Sequence, residues 1–235
     1  MIIDCISDLH GYYPKLKGGD LLIVAGDLTA KDTPEEWAHY FLWQREQDYK
    51  KIVFIAGNHD NRLQKIDMAF YSPEHKVDYL CDSGTEFSYH IDGFPEEDEG
   101  FLPSGKRTLK IWGTPWTKTF EGMNSHCKAF TVEKEEELAD KFEKIPHDTD
   151  ILITHSPPLG ILDKTSDGKH VGSRFLYGWF KYVERPKLHV FGHIHEAYGQ
   201  AEVFNGYNDI MVKSVNASHV NERYKPVNKP IRVIL

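Results

Sequence analysis

Five hydrophobic runs in this chain each end next to residues that can ligate a metal ion. The runs span Ile2 to Ile6, Leu21 to Ala25, Ile52 to Ala56, Ile151 to Ile153 and Leu188 to Phe191, and each is typical of a buried strand. In an open α/β sheet, ligands bind beyond the carboxyl ends of the strands. We therefore expect the polar residues that follow these runs to gather at one edge of the fold.

These polar residues are two Asp, one Asn and four His: Asp8, His10, Asp27, Asn58, His155, His193 and His195. A pair such as Asp8 and His10 arises often by chance, whereas two histidines that flank one residue after a buried strand, His193 and His195, are rarely packing residues. Any one histidine is explained equally well as a hydrogen-bonded imidazole. All five segments together favour a metal site, and imidazoles with carboxylates suit Mn, Fe, Zn, Co or Ni.

Composition limits the partners and the compartment. The chain has 235 residues and a net charge of −8, so it is a poor candidate for bulk nucleic-acid binding, which depends on Lys and Arg. A phosphate substrate would have to be held by bound cations.

Cysteine usage and hydropathy indicate the compartment. The chain has three scattered cysteines without a CxxC pair, and it has no apolar run near ~18 residues. Both features favour a cytoplasmic protein with no membrane contact. No repeat or linker interrupts the pattern, so we expect one domain over residues 1–235.

The remaining elements follow from periodicity and capping residues. One helix is expected to begin at Pro34, a short one near 60–68, and another near 174–184. Thr131 is a candidate N-cap for a helix whose buried stripe is Leu138, Phe142 and Ile145. Antiparallel strands are predicted at Val77 to Cys81, Thr85 to Ile91 and Thr108 to Trp112, with an exposed acidic loop at 96–100, and closing strands at Val203, Ile210 to Val212 and Ile231 to Leu235.

The residue types and their order resemble the calcineurin-like metallophosphoesterase superfamily. Three longer segments are similar to its MPPED (metallophosphoesterase-domain-containing, UPF0046) branch: WGTPW at 112–116, DILITHSPPLG at 150–160 and RPKLHVFGHIHE at 185–196. The resemblance extends over nearly the whole chain and implies an α/β fold, a single-domain four-layer αββα sandwich of two mixed β-sheets. The last histidine pair varies within this branch and is intact here as His193 and His195.

The resemblance also implies two divalent metal ions, with Mn favoured. One ion would be held by Asp8, His10, Asp27 and His195, and the other by Asp27, Asn58, His155 and His193. Asp27 would bridge them. His59 would not be a ligand but would face the phosphate as the catalytic proton donor. Two metals neutralise phosphoryl oxygens and lower the pKa of a bridging water, which explains why the chemistry needs this donor set.

One position departs from the superfamily pattern. Many members carry a second Asp three residues after the bridging one, where it orients the non-ligand histidine, but Ala30 stands there in this chain. Either His59 lacks such a partner, or Asp32 or Asp60 replaces it. Other substrate contacts are expected from Asn58, His59, Ser156 and His170, while Trp116 is expected to pack or, less favoured, to stack on a flat substrate group.

The favoured function is a phosphodiesterase that hydrolyses small phosphodiesters or cyclic nucleotides through a metal-bridging hydroxide. A phosphomonoesterase or a nucleotide pyrophosphohydrolase would use the same ligands, and the loops at 85–107 and 156–173 would decide between them. A non-catalytic scaffold on this fold would show eroded ligands, and none is eroded here. A long polymeric substrate is disfavoured because the chain has no basic stripe. The oligomeric state stays open.

Overall fold

Two mixed β-sheets pack face to face in the computed structural model, which describes residues 1–65, 76–91, 93, 105–120, 122–182, 186–205 and 210–235. The first sheet contains β1 (Ile2–Ile6), β2 (Gly19–Ala25), β3 (Tyr49–Ile55), β4 (Val77–Tyr79) and β13 (Ile231–Ile234). The second contains β5 (Ser83–His90), β6 (Lys106–Thr114), β9 (Ile151–Thr154), β10 (Leu188–Phe191), β11 (Gly199–Asn205) and β12 (Ile210–Asn216). A small parallel pair joins β7 (Thr117–Lys118) to β8 (Thr131–Val132).

Strand order explains why the five runs end together. The first sheet has the order β13-β1-β2-β3-β4 and the second β11-β12-β10-β9-β6-β5. β1 to β4 are mutually parallel, as are β12, β10, β9 and β6, while β13, β11 and β5 are antiparallel edge strands. The backbone of Ser7 joins the two sheets at this rim, because its N–H donates to Ala217 and its carbonyl accepts from His219, both at 2.8 Å.

Side-chain alternation along the buried strands builds three apolar layers. Leu21, Ile23 and Ala25 of β2 face the core between the sheets, whereas Leu22 and Val24 face the outer side. The second sheet does the same, since Ile151 and Ile153 point inward and Leu152 points outward. This two-residue period is the reason that uninterrupted hydrophobic runs indicate strands covered on both faces.

Three helices cover the outer faces: α1 (Pro34–Arg45), α2 (Glu135–Phe142) and α3 (Arg174–Tyr182). α1 begins in a capping box, in which the Thr33 hydroxyl accepts from the Glu36 N–H and the Glu36 carboxylate accepts from the Thr33 N–H. Trp37, Tyr40 and Trp43 of α1 pack on the first sheet, while α2 and α3 pack on the second. The four-layer αββα sandwich of two mixed sheets is therefore confirmed.

Several finer predictions need correction. β4 joins the first sheet parallel to β3, so only β5 and β6 form the expected antiparallel pair. Thr131 is not an N-cap because its backbone pairs in β8, and α2 begins at Glu135. Residues 61–65 form turns rather than the start of a helix. The rest of that prediction, at 66–68, and the acidic loop at 96–100 lie outside the described residues.

The closing strands and the helix near 174–184 are confirmed in type and place by β11, β12, β13 and α3. Within the described part of the chain, no helix combines the length and the apolar character that a membrane crossing requires.

Candidate metal centre

Four buried residues from both sheets converge at the rim. Asp8, His10, Asp27 and His195 each present a ligand atom, and these atoms all lie within 4.8 Å of one another. The His10 Nε2 atom lies 3.3 Å from His195 Nε2 and 3.6 Å from Asp27 Oδ2, and His195 Nε2 lies 3.2 Å from Asp8 Oδ1. The side chains proposed for one metal from the sequence are therefore brought together.

A second group lies on the other side of Asp27. The His155 Nε2 atom is 3.2 Å from Asn58 Oδ1 and 3.4 Å from Asp27 Oδ1, and the His155 and His193 ring centroids are 5.0 Å apart. The two oxygens of the Asp27 carboxylate thus face different groups, Oδ2 toward His10 and Oδ1 toward His155. This arrangement suits a carboxylate that bridges two cations.

Strained backbone holds four of these seven residues. Asp8, His10, Asp27 and His193 have φ values of 51°, 43°, 51° and 69°, in the left-handed region that non-glycine residues seldom occupy. Each such conformation costs on the order of 1–3 kcal/mol and persists where the surroundings enforce it. Concentration of this strain at one cluster favours a functional site over simple packing.

Two glycines leave room for the carboxylates. A Cβ atom at Gly57 would overlap the Asp27 Oδ1 atom, and a Cβ atom at Gly192 would overlap the Asp8 Oδ2 atom and the Ser7 hydroxyl. The glycines that precede Asn58 and His193 are thus required for close approach of backbone to carboxylate.

Hydrogen bonds outside the cluster fix which atom of each ligand faces inward. The Nδ1–H of His155 donates to the Ala25 carbonyl at 3.0 Å, which leaves Nε2 toward the site. The Asn58 amide donates through Nδ2 to the Cys127 carbonyl at 3.1 Å, which leaves Oδ1 toward His155. The Asp8 Oδ2 atom accepts from the Ser218 hydroxyl at 2.8 Å. Such outer partners orient metal ligands and tune their basicity.

Burial and neighbouring charges shift the pKa values of four residues of the cluster in different directions. Burial lowers the pKa of His10 and of His193 to about 3, so both rings are neutral. Burial would raise the pKa of Asp27, but the charges of His155 and His59 hold it well below its usual range. Burial would lower the pKa of His155, but the Asp27 carboxylate raises it to about 9.

The donor set fits two divalent cations. Two buried carboxylates, one amide oxygen and four imidazoles converge at this rim from both sheets. Mixed oxygen and nitrogen donors of this kind bind Mn, Fe, Zn, Co or Ni.

His59 has an orienting partner that differs from both sequence-based candidates. Its Nδ1–H donates to the Ala30 carbonyl at 3.1 Å, and its Nε2 atom lies 3.9 Å from Asp27 Oδ2. Asp60 does not contact it, because the Asp60 carboxylate accepts from Leu28, Thr29 and Gly57. Asp32 accepts from the Trp37 indole instead. The residue that replaces the usual Asp therefore orients His59 through its backbone.

A cavity of about 1160 Å³ opens above the cluster. Ser156 and His170 both line it, as expected for substrate contacts. The His170 Nδ1–H donates to the buried Asp163 carboxylate at 2.6 Å.

Trp116 makes packing contacts. Its indole N–H donates to Asp82 at 2.9 Å, and its ring meets Phe130 edge-on. These contacts agree with the packing prediction for Trp116, which is not among the described residues that line the cavity.

Three neighbours of the cluster were missed from the sequence. Ser218 follows β12, so the rule that drew attention to the other strand ends would have indicated it too. Cys127, whose carbonyl orients Asn58, lies in a loop with no motif. Tyr224 lies in the loop after β12, and its ring centroid is 4.9 Å from His10 and 5.1 Å from His195.

Comparison with known proteins identifies the family. A profile of the calcineurin-like phosphoesterase family matches residues 1–197. Human metallophosphoesterase domain-containing protein 1 is 33% identical over 247 residues, which cover 98% of this chain and 70% of that protein. The chain belongs to the calcineurin-like phosphoesterase family. A UPF0046 protein of Caenorhabditis elegans is 31% identical over 241 residues, 97% of this chain and 58% of its own length, so the predicted branch is confirmed.

The fold of this calcineurin-like phosphoesterase also has a solved counterpart. One crystal structure aligns with a TM-score of 0.62 at 17% identity over 92% of this chain and 89% of the other, a likeness that concerns the fold alone. Membership in the family supports metal-dependent phosphoester hydrolysis as the reaction, carried out at a dinuclear metal site. The buried cluster of metal-binding residues agrees with that chemistry.

Proposed function

We propose that this calcineurin-like phosphoesterase is a phosphodiesterase acting on small phosphodiesters or cyclic nucleotides with two divalent cations, Mn favoured. Asp8, His10, Asp27 and His195 would hold one cation, and Asp27, Asn58, His155 and His193 the other. When bound, the cations would neutralise the phosphoryl oxygens and lower the pKa of a water molecule. The single observation that carries the choice of a diester is the charge of the cavity wall.

The wall carries more acidic than basic groups. Among the described residues that line the cavity outside the metal cluster, Glu135, Asp167, Glu196 and Glu222 are acidic, and Lys118 and Lys169 are basic. Lys169 is already paired with Asp167 at 2.7 Å. A phosphomonoester is largely a dianion at neutral pH and gains most from additional cations, whereas a diester carries a single charge. The acidic wall therefore favours the diester, and the cavity volume leaves room for its second organic group.

Two further residues would contact the substrate from the wall. The His170 ring is half-exposed at the cavity while its Nδ1–H is held by Asp163, so its Nε2 atom is free to meet a polar group of the ester. Ser156 directly follows His155 and lines the same cavity. An unchanged KM in His170→Ala would exclude the His170 contact.

His59 is proposed to protonate the leaving alkoxide. Replacing it with alanine should lower kcat by roughly 10²- to 10⁴-fold for an alkyl or nucleoside leaving group, the range of general acid catalysis. The same variant should lose markedly less on a p-nitrophenyl leaving group, which departs without a proton. The measurement is kcat on both substrate types, together with metal content by elemental analysis.

Loss of metal in His59→Ala would instead mean that His59 is a ligand, and an equal loss on both leaving groups would remove the proton-donor role. His126→Ala is a suitable control. His126 is an exposed histidine and directly precedes Cys127, whose carbonyl orients Asn58. It should leave both rates unchanged.

The function itself is tested with the purified, Mn-loaded chain. Bis(p-nitrophenyl) phosphate, p-nitrophenyl phosphate, and 2′,3′- and 3′,5′-cyclic nucleotides are compared by kcat/KM, with and without chelator. We expect diester turnover that chelator removes and that exceeds monoester turnover at least several-fold. Faster monoester hydrolysis would favour the phosphomonoesterase, and no turnover despite two bound ions would favour the scaffold.

A further inference from the structure

Tyr224 is an aromatic residue over the metal cluster that has no packing explanation. Its ring centroid lies 4.9 Å from that of His10, 5.1 Å from His195 and 6.3 Å from His59. Even so, 48% of the residue is exposed, and it lines the cavity. Within the described part of the chain its hydroxyl makes no hydrogen bond. A ring placed for core packing would be covered on both sides.

The loop that carries Tyr224 holds the ring in place at a conformational cost. Tyr224 has a φ of 55°, which is an outlier for a bulky side chain. The turn is closed by the Tyr224 N–H, which donates to the Asn221 carbonyl at 2.8 Å, and by the Asn221 side chain, which accepts from Arg223 and Lys225 at 3.0 Å each. Strain maintained in this way at a site supports a functional role.

The base of the same loop is fastened to the cluster. Asn228 donates through its side chain to the Ser218 carbonyl at 2.9 Å, and His219 donates to the Asn228 carbonyl at 2.8 Å. Ser218 in turn donates to Asp8. Because the base is fixed on a proposed metal ligand, the loop holds the ring in a defined position relative to the metal cluster.

We propose that Tyr224 is a specificity-determining residue whose ring contacts a flat organic group on the retained side of the phosphodiester, such as an aryl group or a nucleoside base. The side follows from the distances, because the ring lies nearer to His10 and His195 than to His59, the residue proposed to serve the leaving group. This inference rests on the proposed diesterase function, since a phosphomonoester has no retained organic group.

The test uses two diesters that share a leaving group. Bis(p-nitrophenyl) phosphate and methyl p-nitrophenyl phosphate both release p-nitrophenol but retain an aryl and a methyl group, respectively. Wild type, Tyr224→Phe and Tyr224→Ala are compared by KM and kcat on each, with metal content measured on the same samples. Tyr224→Asn is included because Asn tolerates a left-handed backbone, so that a folding defect in the alanine variant cannot obscure the result.

We expect the preference for the aryl diester, as a ratio of kcat/KM values, to fall roughly three- to ten-fold in the Ala and Asn variants, the size of one aromatic contact. The change should lie mainly in KM, and Tyr224→Phe should keep the preference. An unchanged ratio, an equal loss in Tyr224→Phe, or loss of bound metal would overturn the inference. Turnover of the methyl diester by wild type tests the diesterase function separately.

Discussion

Asp27→Ala is expected to abolish turnover and to lower bound metal at both positions. Its carboxylate is the only one among the described cluster residues that faces both groups, 3.6 Å from His10 Nε2 and 3.4 Å from His155 Nε2. Loss of several kcal/mol of transition-state stabilisation corresponds to roughly 10³-fold or more in rate. The measurement is kcat/KM on the aryl diester together with metal per chain after desalting.

Asp20→Ala provides the matched control for Asp27. Asp20 lies near the start of β2, at the end of the strand remote from Asp27, where it pairs with Lys50 at 2.8 Å. We expect its activity and metal content to equal those of wild type. Near-normal turnover in Asp27→Ala, or loss of only one of two ions, would contradict a bridging role for Asp27.

Asp60→Ala is expected to cause the largest loss of stability. The fully buried Asp60 carboxylate accepts from the Leu28 N–H, the Thr29 N–H and hydroxyl, and the Gly57 N–H, at 2.8–3.1 Å. It thereby ties the segment after Asp27 to the segment before Asn58. An unpaired buried donor costs ~1–3 kcal/mol, so we expect the free energy of unfolding to fall by about 3 kcal/mol. That corresponds to a melting temperature lower by roughly 6–12 °C for a chain of this size.

The stability measurement is made in excess chelator, so that metal binding does not contribute. Asp167→Ala is the control, because Asp167 is exposed and solvent screens its pair with Lys169, so we expect its loss to leave stability nearly unchanged. If Asp60→Ala unfolded at the same temperature as Asp167→Ala, Asp60 would not hold the two segments together.

The sequence was sufficient for the five strands that end at the rim and for the composition of the cluster. Continuous apolar runs such as Leu21 to Ala25 predict strands covered on both faces, and parallel strands place their carboxyl ends on one rim. The seven candidate ligands therefore could be identified without coordinates, and the structure brings them together.

Contacts made through the backbone could not be predicted in this way. The Ala30 carbonyl orients His59 and the Cys127 carbonyl orients Asn58, and a carbonyl group is present at every residue, so no sequence pattern marks it. The partner of a strand is equally hidden, as β4 shows by joining β3 rather than β5. Tyr224 lies in the loop between β12 and β13. These two strands belong to different sheets, so the position of the loop depends on a pairing that the sequence does not reveal.

The most direct test of the account is the number of metal ions per chain at which activity saturates. The metal-free protein is titrated with Mn while diester turnover and bound metal are followed on the same samples. We predict that turnover rises with occupancy and saturates at two ions per chain in wild type, and that Asp27→Ala binds fewer and stays inactive. Saturation of activity at one ion per chain would contradict a dinuclear centre bridged by Asp27.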